Sequence, residues 1–174
     1  MSDEAPVSLR AIEWFSEQPA IMPAPIEDWL METGSMTQRL DDCCVQLTVI
    51  VCKECFILPG ELLNDEHGHL PVSERYWLRE VVLYGDGRPW LFGRTLVPQQ
   101  TLDGTGAALM KIGNTPLGRY LFQHDALTRD YIHTGAGGSL WARRSRLCLS
   151  GQPLLLTELF LPEAPLYFMD SCKG

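Results

Sequence analysis

The sequence predicts an α+β fold: one antiparallel sheet of about six strands, with short helix pairs folded over it. Three observations predict it. Strand-like runs are joined by tight-turn signals, above all Asp86-Gly87 between Tyr76–Tyr84 and Trp90–Val97. Two segments between the strands each show a pair of short helices split by a glycine. No strand is followed by a glycine-rich loop that opens a long helix, so a doubly wound parallel sheet is not indicated.

Taken in order, residues 8–18 have helical apolar spacing through Leu9, Ile12, Trp14 and Phe15, until Pro19, Pro23 and Pro25 break it. Pro25 to Thr33 predicts a short helix with Ile26, Trp29 and Leu30 on one side, stopped by Gly34. Ser35 is a good N-cap for a second helix through about Leu40. Val45 to Phe56 alternates as a strand, and Pro59 to Pro71 is a polar loop. Thr101 to Phe122 is helical again, with Asp103 and Thr115 as caps, Pro116 at a first position and Gly113 as a stop. Leu127–His133, Leu140–Leu149 and Leu154–Leu161 complete the strands. Gly135-Ala136-Gly137-Gly138 reads as a flexible connection and Ser150-Gly151-Gln152 as a turn.

A chain of 174 residues suits a single domain spanning 1–174. No apolar stretch is long enough for a membrane helix, and the acidic Met1–Pro6 start lacks a secretory h-region. A cytoplasmic protein is the expectation. The net charge of −8 argues against nucleic acid or an anionic membrane as partner. The charge is unevenly spread. Residues 1–70 set Arg10, Arg39 and Lys53 against thirteen acids, whereas residues 71–150 set nine arginines and Lys111 against six. Arginine grips carboxylates in a fixed geometry, although most of the nine are expected on solvated strand faces, Arg144 and Arg146 among them.

Cys43, Cys44, Cys52, Cys55, Cys148 and Cys172 make no secretory disulfide framework in this context. Cys52 and Cys55 form a lone C-x-x-C, and His67-Gly68-His69 is too tightly spaced to complete a zinc site. On a regular strand the two cysteines would point to opposite faces, so free thiols packed as small apolar groups are expected. His124, Asp125 and Asp130 are metal-capable but fit turn formers beside a strand.

The chemistry concentrates elsewhere. Glu158 interrupts the apolar run Leu154–Leu161, a carboxylate projecting into core. Arg79 and Arg94 interrupt two other strands in the same way. A buried ion pair that fixes register would explain one acid and one base. Two arginines against one acid leave a surplus positive charge, and a small anionic ligand would balance it.

Several blocks then form a familiar series: Ser35-Met36-Thr37, Arg75–Glu80, Gly93-Arg94-Thr95, Thr115–Phe122, Leu127–Asp130, Arg143–Leu147, the Glu158 strand, and Pro165-Leu166-Tyr167. In this order, from about Leu9 to Tyr167, the chain resembles the chorismate pyruvate-lyase family of ubiquinone biosynthesis. Cys52–His69 aligns with nothing informative, and Phe168–Gly174 extends past the family's usual end. The resemblance implies conversion of chorismate to 4-hydroxybenzoate and pyruvate by a monomer without metal or organic cofactor, in a buried site under helix-turn-helix flaps. It implies that Arg79 binds the ring carboxylate, Glu158 contacts the 4-hydroxyl, the main chain at Met36 and Leu117 contributes to binding, and Arg94 serves catalysis. Glu158 then orients the hydroxyl or takes the C4 proton; intramolecular transfer without a base fits equally.

Two competing classes remain. Ligand-sensing domains of some transcriptional regulators are similar in fold, but follow a DNA-binding winged helix that is not read ahead of residue 9. A zinc interaction module would be built on Cys52 and Cys55.

Overall fold

The computed structural model describes residues 9–16, 22–63, 65–114, 117–121 and 127–168, without the side chains of residues 105, 118 and 119. Seven strands form one antiparallel sheet: β1 (Glu13–Trp14), β2 (Leu47–Ile57), β3 (Tyr76–Gly85), β4 (Arg88–Pro98), β5 (Leu127–Gly137), β6 (Leu140–Leu149) and β7 (Gln152–Phe160). Their spatial order is β1-β5-β6-β7-β4-β3-β2. Short helices accompany them, among them α1 (Ala24–Leu30), α2 (Met36–Asp41), α3 (Gln99–Asp103) and α4 (Leu117–Leu121).

The β3–β4 hairpin closes as its sequence dictates. Asp86 and Gly87 have φ of 49° and 82°, the positive pair that a two-residue hairpin turn requires. The Asp86 carboxylate also accepts from the Val45 and Gln46 N–H groups at 3.1 and 2.8 Å, which ties the start of β2 to the turn. Ser150 and Gly151 make the equivalent turn between β6 and β7.

Helices of five to seven residues do not persist alone. Here they stand on apolar clusters, in which each fully buried leucine stabilises by about 1.5–3 kcal/mol. The α1–α2 pair rests its Ile26, Trp29, Leu30 and Leu40 on Leu91 and Phe160 at one end of the sheet. At the other end of the same face, α3, α4 and the 3-10 turn Thr105–Lys111 pack Leu102, Leu109 and Leu121 against Leu147 and Leu154. Ser35 caps α2, its Oγ accepting from the Gln38 N–H at 3.1 Å. The opposite face is covered by the chain around Leu9–Trp14 and by the loop that carries the 3-10 turns Pro59–Glu61 and Glu66–His69. One face is thus helix-covered and the other loop-covered.

The structure corrects four local expectations. Within residues 8–18, Glu13 and Trp14 are a strand, not a helix. Ile12 and Trp14 side chains occupy the space where Cβ atoms on Gly135 would fall, and the Ala11 carbonyl sits within 2.6 Å of one on Gly137. Gly135–Gly137 is therefore strand, and its bare backbone is what lets β1 approach. Asp103 ends α3 rather than capping the next helix, its Oδ1 accepting from Gln99 Nε2 at 2.8 Å. Cys52 and Cys55 do not face opposite ways. A bulge between Val51 and Lys53 shifts the register, so Cys52 lines a cavity of the loop-covered face and Cys55 packs with the cluster of that face around Leu78. Cys44, Cys52, Cys55 and Cys148 are free thiols, whereas Cys43 is disulfide-bonded. The expected caps Thr115 and Pro116, the residues His124 and Asp125, and most of the C-terminal extension lie outside the described residues.

Tyr167 locks the end of the chain over the sheet. Its hydroxyl donates to the Phe160 carbonyl and accepts from the Trp141 N–H, both at 2.8 Å. Burial pushes its pKa up to about 12. The folded state thus prefers the neutral phenol, and this stabilisation is complete below the unfolded value near 10 and lost as pH rises toward 12. Tyr167→Phe is expected to lower stability by about 1–3 kcal/mol in urea titrations at neutral pH. The variant should also lose stability less steeply than the parent between pH 10 and 12.

Candidate active site

Charged side chains cross the middle of the sheet on both faces. Cross-strand registers assign them. Arg79, Thr95 and Leu156 lie side by side, as do Val81, Gly93, Glu158 and Arg143; all share the helix-covered face. Glu80, Arg94, Thr157 and Arg144 form the row between, on the loop-covered face. Period-two alternation leaves no other outcome.

On the helix-covered face, a small cavity of about 40 Å³ lies between the two helix groups. Arg79, Glu158 and Arg143 line it together with Thr37 and Met36 of α2 and Leu117 of α4. Arg79 and Glu158 are 1% and 5% exposed. They stand two strand spacings and two residues apart, which separates their Cα atoms by about 12 Å. That separation suits side chains gripping opposite ends of one substituted six-membered ring. Gly93 lies between Val81 and Glu158 in the floor. A Cβ there would meet Val81 at an ordinary 3.4 Å, so neighbours would tolerate it, but it would rise into the cavity.

Arg79 Nη1 donates to Glu54 Oε1 at 2.6 Å from the neighbouring β2. Burial lowers the Arg79 pKa, and Glu54 partly restores it. Glu158 Oε1 accepts from Arg143 Nε at 2.7 Å. A carboxylate held at one oxygen still has its second oxygen to offer. Arg129 of β5 lies within electrostatic reach of Arg143 and Glu158, and its Nη1 donates to Ser145 Oγ at 2.9 Å. Burial lowers the Arg129 pKa first, and Arg143 adds to the effect.

Arg94 does not join this group. It projects from the other face, where Nε and Nη2 reach Glu66 at 2.9 and 3.1 Å and Nη1 reaches Glu80 at 2.8 Å. Burial would lower its pKa, but the two carboxylates outweigh burial and raise it. The expected meeting of Glu158, Arg79 and Arg94 around one hollow is therefore corrected. The second inward arginine at Glu158 is Arg143. Alternation could have shown this, since residues on adjacent antiparallel strands share a face only in register. Glu66, fully buried in a stretch that reads as polar loop, gave no signal at all. Arg144 is also corrected: it is 3% exposed and stacks 4.1 Å over the Trp14 ring instead of lying in solvent. With Arg94 it lines a larger cavity of about 690 Å³ on that face.

Among the described residues, no group of three or more His, Cys, Asp or Glu side chains could hold a metal ion. Nor is any described helix long and apolar enough to cross a membrane.

The chorismate lyase family model matches residues 9–171. The chain is 67% identical over 174 residues to the chorismate pyruvate-lyase of Pectobacterium atrosepticum, covering 100% of this chain and 98% of the relative. It is 56% identical over 171 residues to that of Serratia proteamaculans, covering 98% of each. Among solved structures, the effector domain of PhnF from Mycobacterium smegmatis shares the fold with a TM-score of 0.54 at 14% identity, over 76% of this chain and 91% of that one. The C-terminal domain of the histidine utilization repressor from Pseudomonas syringae pv. tomato does so at 0.51 and 16%, over 68% and 92%.

Removing Arg94 strands two buried carboxylates. Arg94→Met is expected to cost about 3–5 kcal/mol of stability. Adding Glu66→Gln should recover part of that loss, read as a return of the denaturation midpoint.

Proposed function

The chain belongs to the chorismate lyase family, and we propose that its Glu158 cavity is where chorismate loses pyruvate to leave 4-hydroxybenzoate, the first step toward ubiquinone. The observation that supports this site is the placement of buried Arg79 and Glu158 at opposite ends of one small cavity roofed by two helix ends.

The reaction breaks the C3–O ether bond and removes the C4 proton as the ring becomes aromatic. The departing enolpyruvate takes up a proton at its methylene carbon to become pyruvate. Aromatisation supplies the driving force, so the protein need only hold the ring, favour the departing charge and exclude water. Arg79 is the anchor for the ring carboxylate. Glu158 Oε2 receives the 4-hydroxyl while Arg143 occupies Oε1. Met36 and Leu117 open α2 and α4, so their N–H groups belong to first turns that lack intrahelical acceptors and can turn to a ligand. Arg94, committed to Glu66 and Glu80 across the sheet, has no direct contact with a ring in this cavity. The chain works as a monomer in this reading.

The regulator effector domains share the fold alone, at 14–16% identity. The family match spans nearly the whole chain and favours the lyase over the sensor.

Adding the protein to chorismate should produce the ultraviolet absorbance of 4-hydroxybenzoate; unchanged spectra would sink the assignment. Arg79→Met should weaken 4-hydroxybenzoate binding by roughly a hundredfold, about 3 kcal/mol. The fold should survive that change, because Glu54 keeps 30% of its side chain in solvent. Glu158→Gln separates two roles. A single-turnover rate near the parent's identifies Glu158 as an orienting group, while a collapse by several orders of magnitude identifies a required base.

A further inference from the structure

Arg143 is fixed at both ends. From β6, its Nε holds Glu158 Oε1 at 2.7 Å, and its Nη1 donates to the Leu30 and Glu32 carbonyls at 3.2 and 2.7 Å. Leu30 ends α1 and Glu32 lies two residues on, in the link to α2, so both carbonyls lie where a helix runs out of its own donors. One guanidinium, 1% exposed, therefore joins the catalytic carboxylate to the roof above it. The remaining support of α1 on the sheet is largely apolar, through Ile26, Trp29 and Leu30. Within the helix pair, Arg39 stacks 4.0 Å from Trp29 and bonds the Asp28 carbonyl at 2.8 Å, so α1 and α2 move as one piece.

The cavity is covered by Met36 and Thr37 of α2 on one side and by Leu117 of α4 on the other, so lifting the α1–α2 pair widens the way in for a ligand. Lifting α1 would take both carbonyls from Arg143 and leave a buried cation holding Glu158 alone. A buried charge that loses its acceptors is costly. Resting on the lyase reading for the meaning of Glu158, we propose that Arg143 is a positioning residue that couples closure of the α1–α2 pair to the setting of Glu158. With the roof down, all three acceptors are in place and Glu158 Oε2 is turned to the ligand. With the roof up, that setting is lost. Coupling of this kind is reciprocal, so a ligand hydroxyl that engages Glu158 also holds the roof down. Product release then waits on Arg143 letting go of α1.

The test uses the full chain without ligand, which separates it from the lyase assignment. The Met31 and Glu32 amides, bonded to the Glu27 and Trp29 carbonyls at 2.9 and 3.3 Å, report opening of the helix end by hydrogen exchange. In Glu158→Gln and in Arg143→Lys, both amides should exchange about tenfold faster or more, while strand amides such as Val82 and Phe92 keep their rates. Lysine keeps the charge but not the fork that serves separate acceptors. The double variant should exchange no faster than Arg143→Lys alone, because one route carries both effects. Unchanged exchange at Met31 and Glu32 in folded Glu158→Gln, or additive effects in the double variant, would overturn the coupling. If Arg143→Lys fails to fold, the nearly isosteric Glu158→Gln decides by the same amides. A further arm measures 4-hydroxybenzoate dissociation, which should be about tenfold faster in Arg143→Lys. Absence of any product binding in the parent would refute the lyase reading and leave the exchange result to judge the coupling.

Discussion

Charges in the middle of a sheet covered on both sides must each find a partner, and most of this structure is arranged around that need. Arg79, Arg143 and Glu158 face the helices; Glu80, Arg94 and Arg144 face the loops. Isolated in an apolar interior, any one of them would cost several kcal/mol. The elements at the edges supply what is missing. The edge strand β2 brings Glu54 to Arg79, the loop after it brings Glu66 to Arg94, and the end of α1 brings two carbonyls to Arg143. Apolar clusters at each end of the sheet then hold those elements down.

The two faces solve the problem differently, and the difference sets the proposed site on the helix-covered face apart. On the loop-covered face, Arg94 meets two carboxylates at three nitrogens and its hydrogen-bonding capacity is largely spent. On the helix-covered face, Glu158 keeps an oxygen for the cavity and Arg79 is matched by an acid that is itself partly in water. A site that binds a dianion and releases two monoanions benefits from such incomplete pairing. A fully satisfied network would gain nothing from the ligand.

Much of this was legible in the residues. Strand alternation, the Asp86-Gly87 turn and the Ser35 cap are local signals with local causes, and they placed most strand ends within a residue or two, although the first helix ends at Leu30 rather than Thr33 and the strand from Leu127 runs on to Gly137 rather than His133. Arg79 and Glu158 were visible because a charge inside an apolar run is conspicuous. What failed were pairings between distant segments. Glu66 lies in a stretch of Asp, Glu, His and Gly that reads as solvated loop, yet the fold buries it completely. Arg94 looked equivalent to Arg79 because each run shows one misplaced arginine, and only the register between β3 and β4 reveals that they face opposite ways. Glu13 and Trp14 misread as helix because three or four apolar residues fit either period, and the decisive fact was the bare backbone of Gly135 and Gly137 on a strand more than 100 residues later.

Closure and release pull against each other in this architecture. The roof is two helices of six and seven residues, too short to hold themselves and therefore dependent on what lies beneath. The apolar contacts beneath α1 and α2 are non-directional, so they set how tightly the roof rests but discriminate poorly between substrate and product. A polar contact shared by the roof and Glu158 makes that distinction more sharply, because its strength depends on what Glu158 is holding. Arg143 is positioned to be that contact: the sheet fixes its backbone, Glu158 fixes its Nε, and α1 sits on its Nη1. A roof held by apolar packing alone would open at a rate indifferent to the polar end of a ligand, whereas one fastened through Glu158 opens at a rate that whatever Glu158 holds can alter.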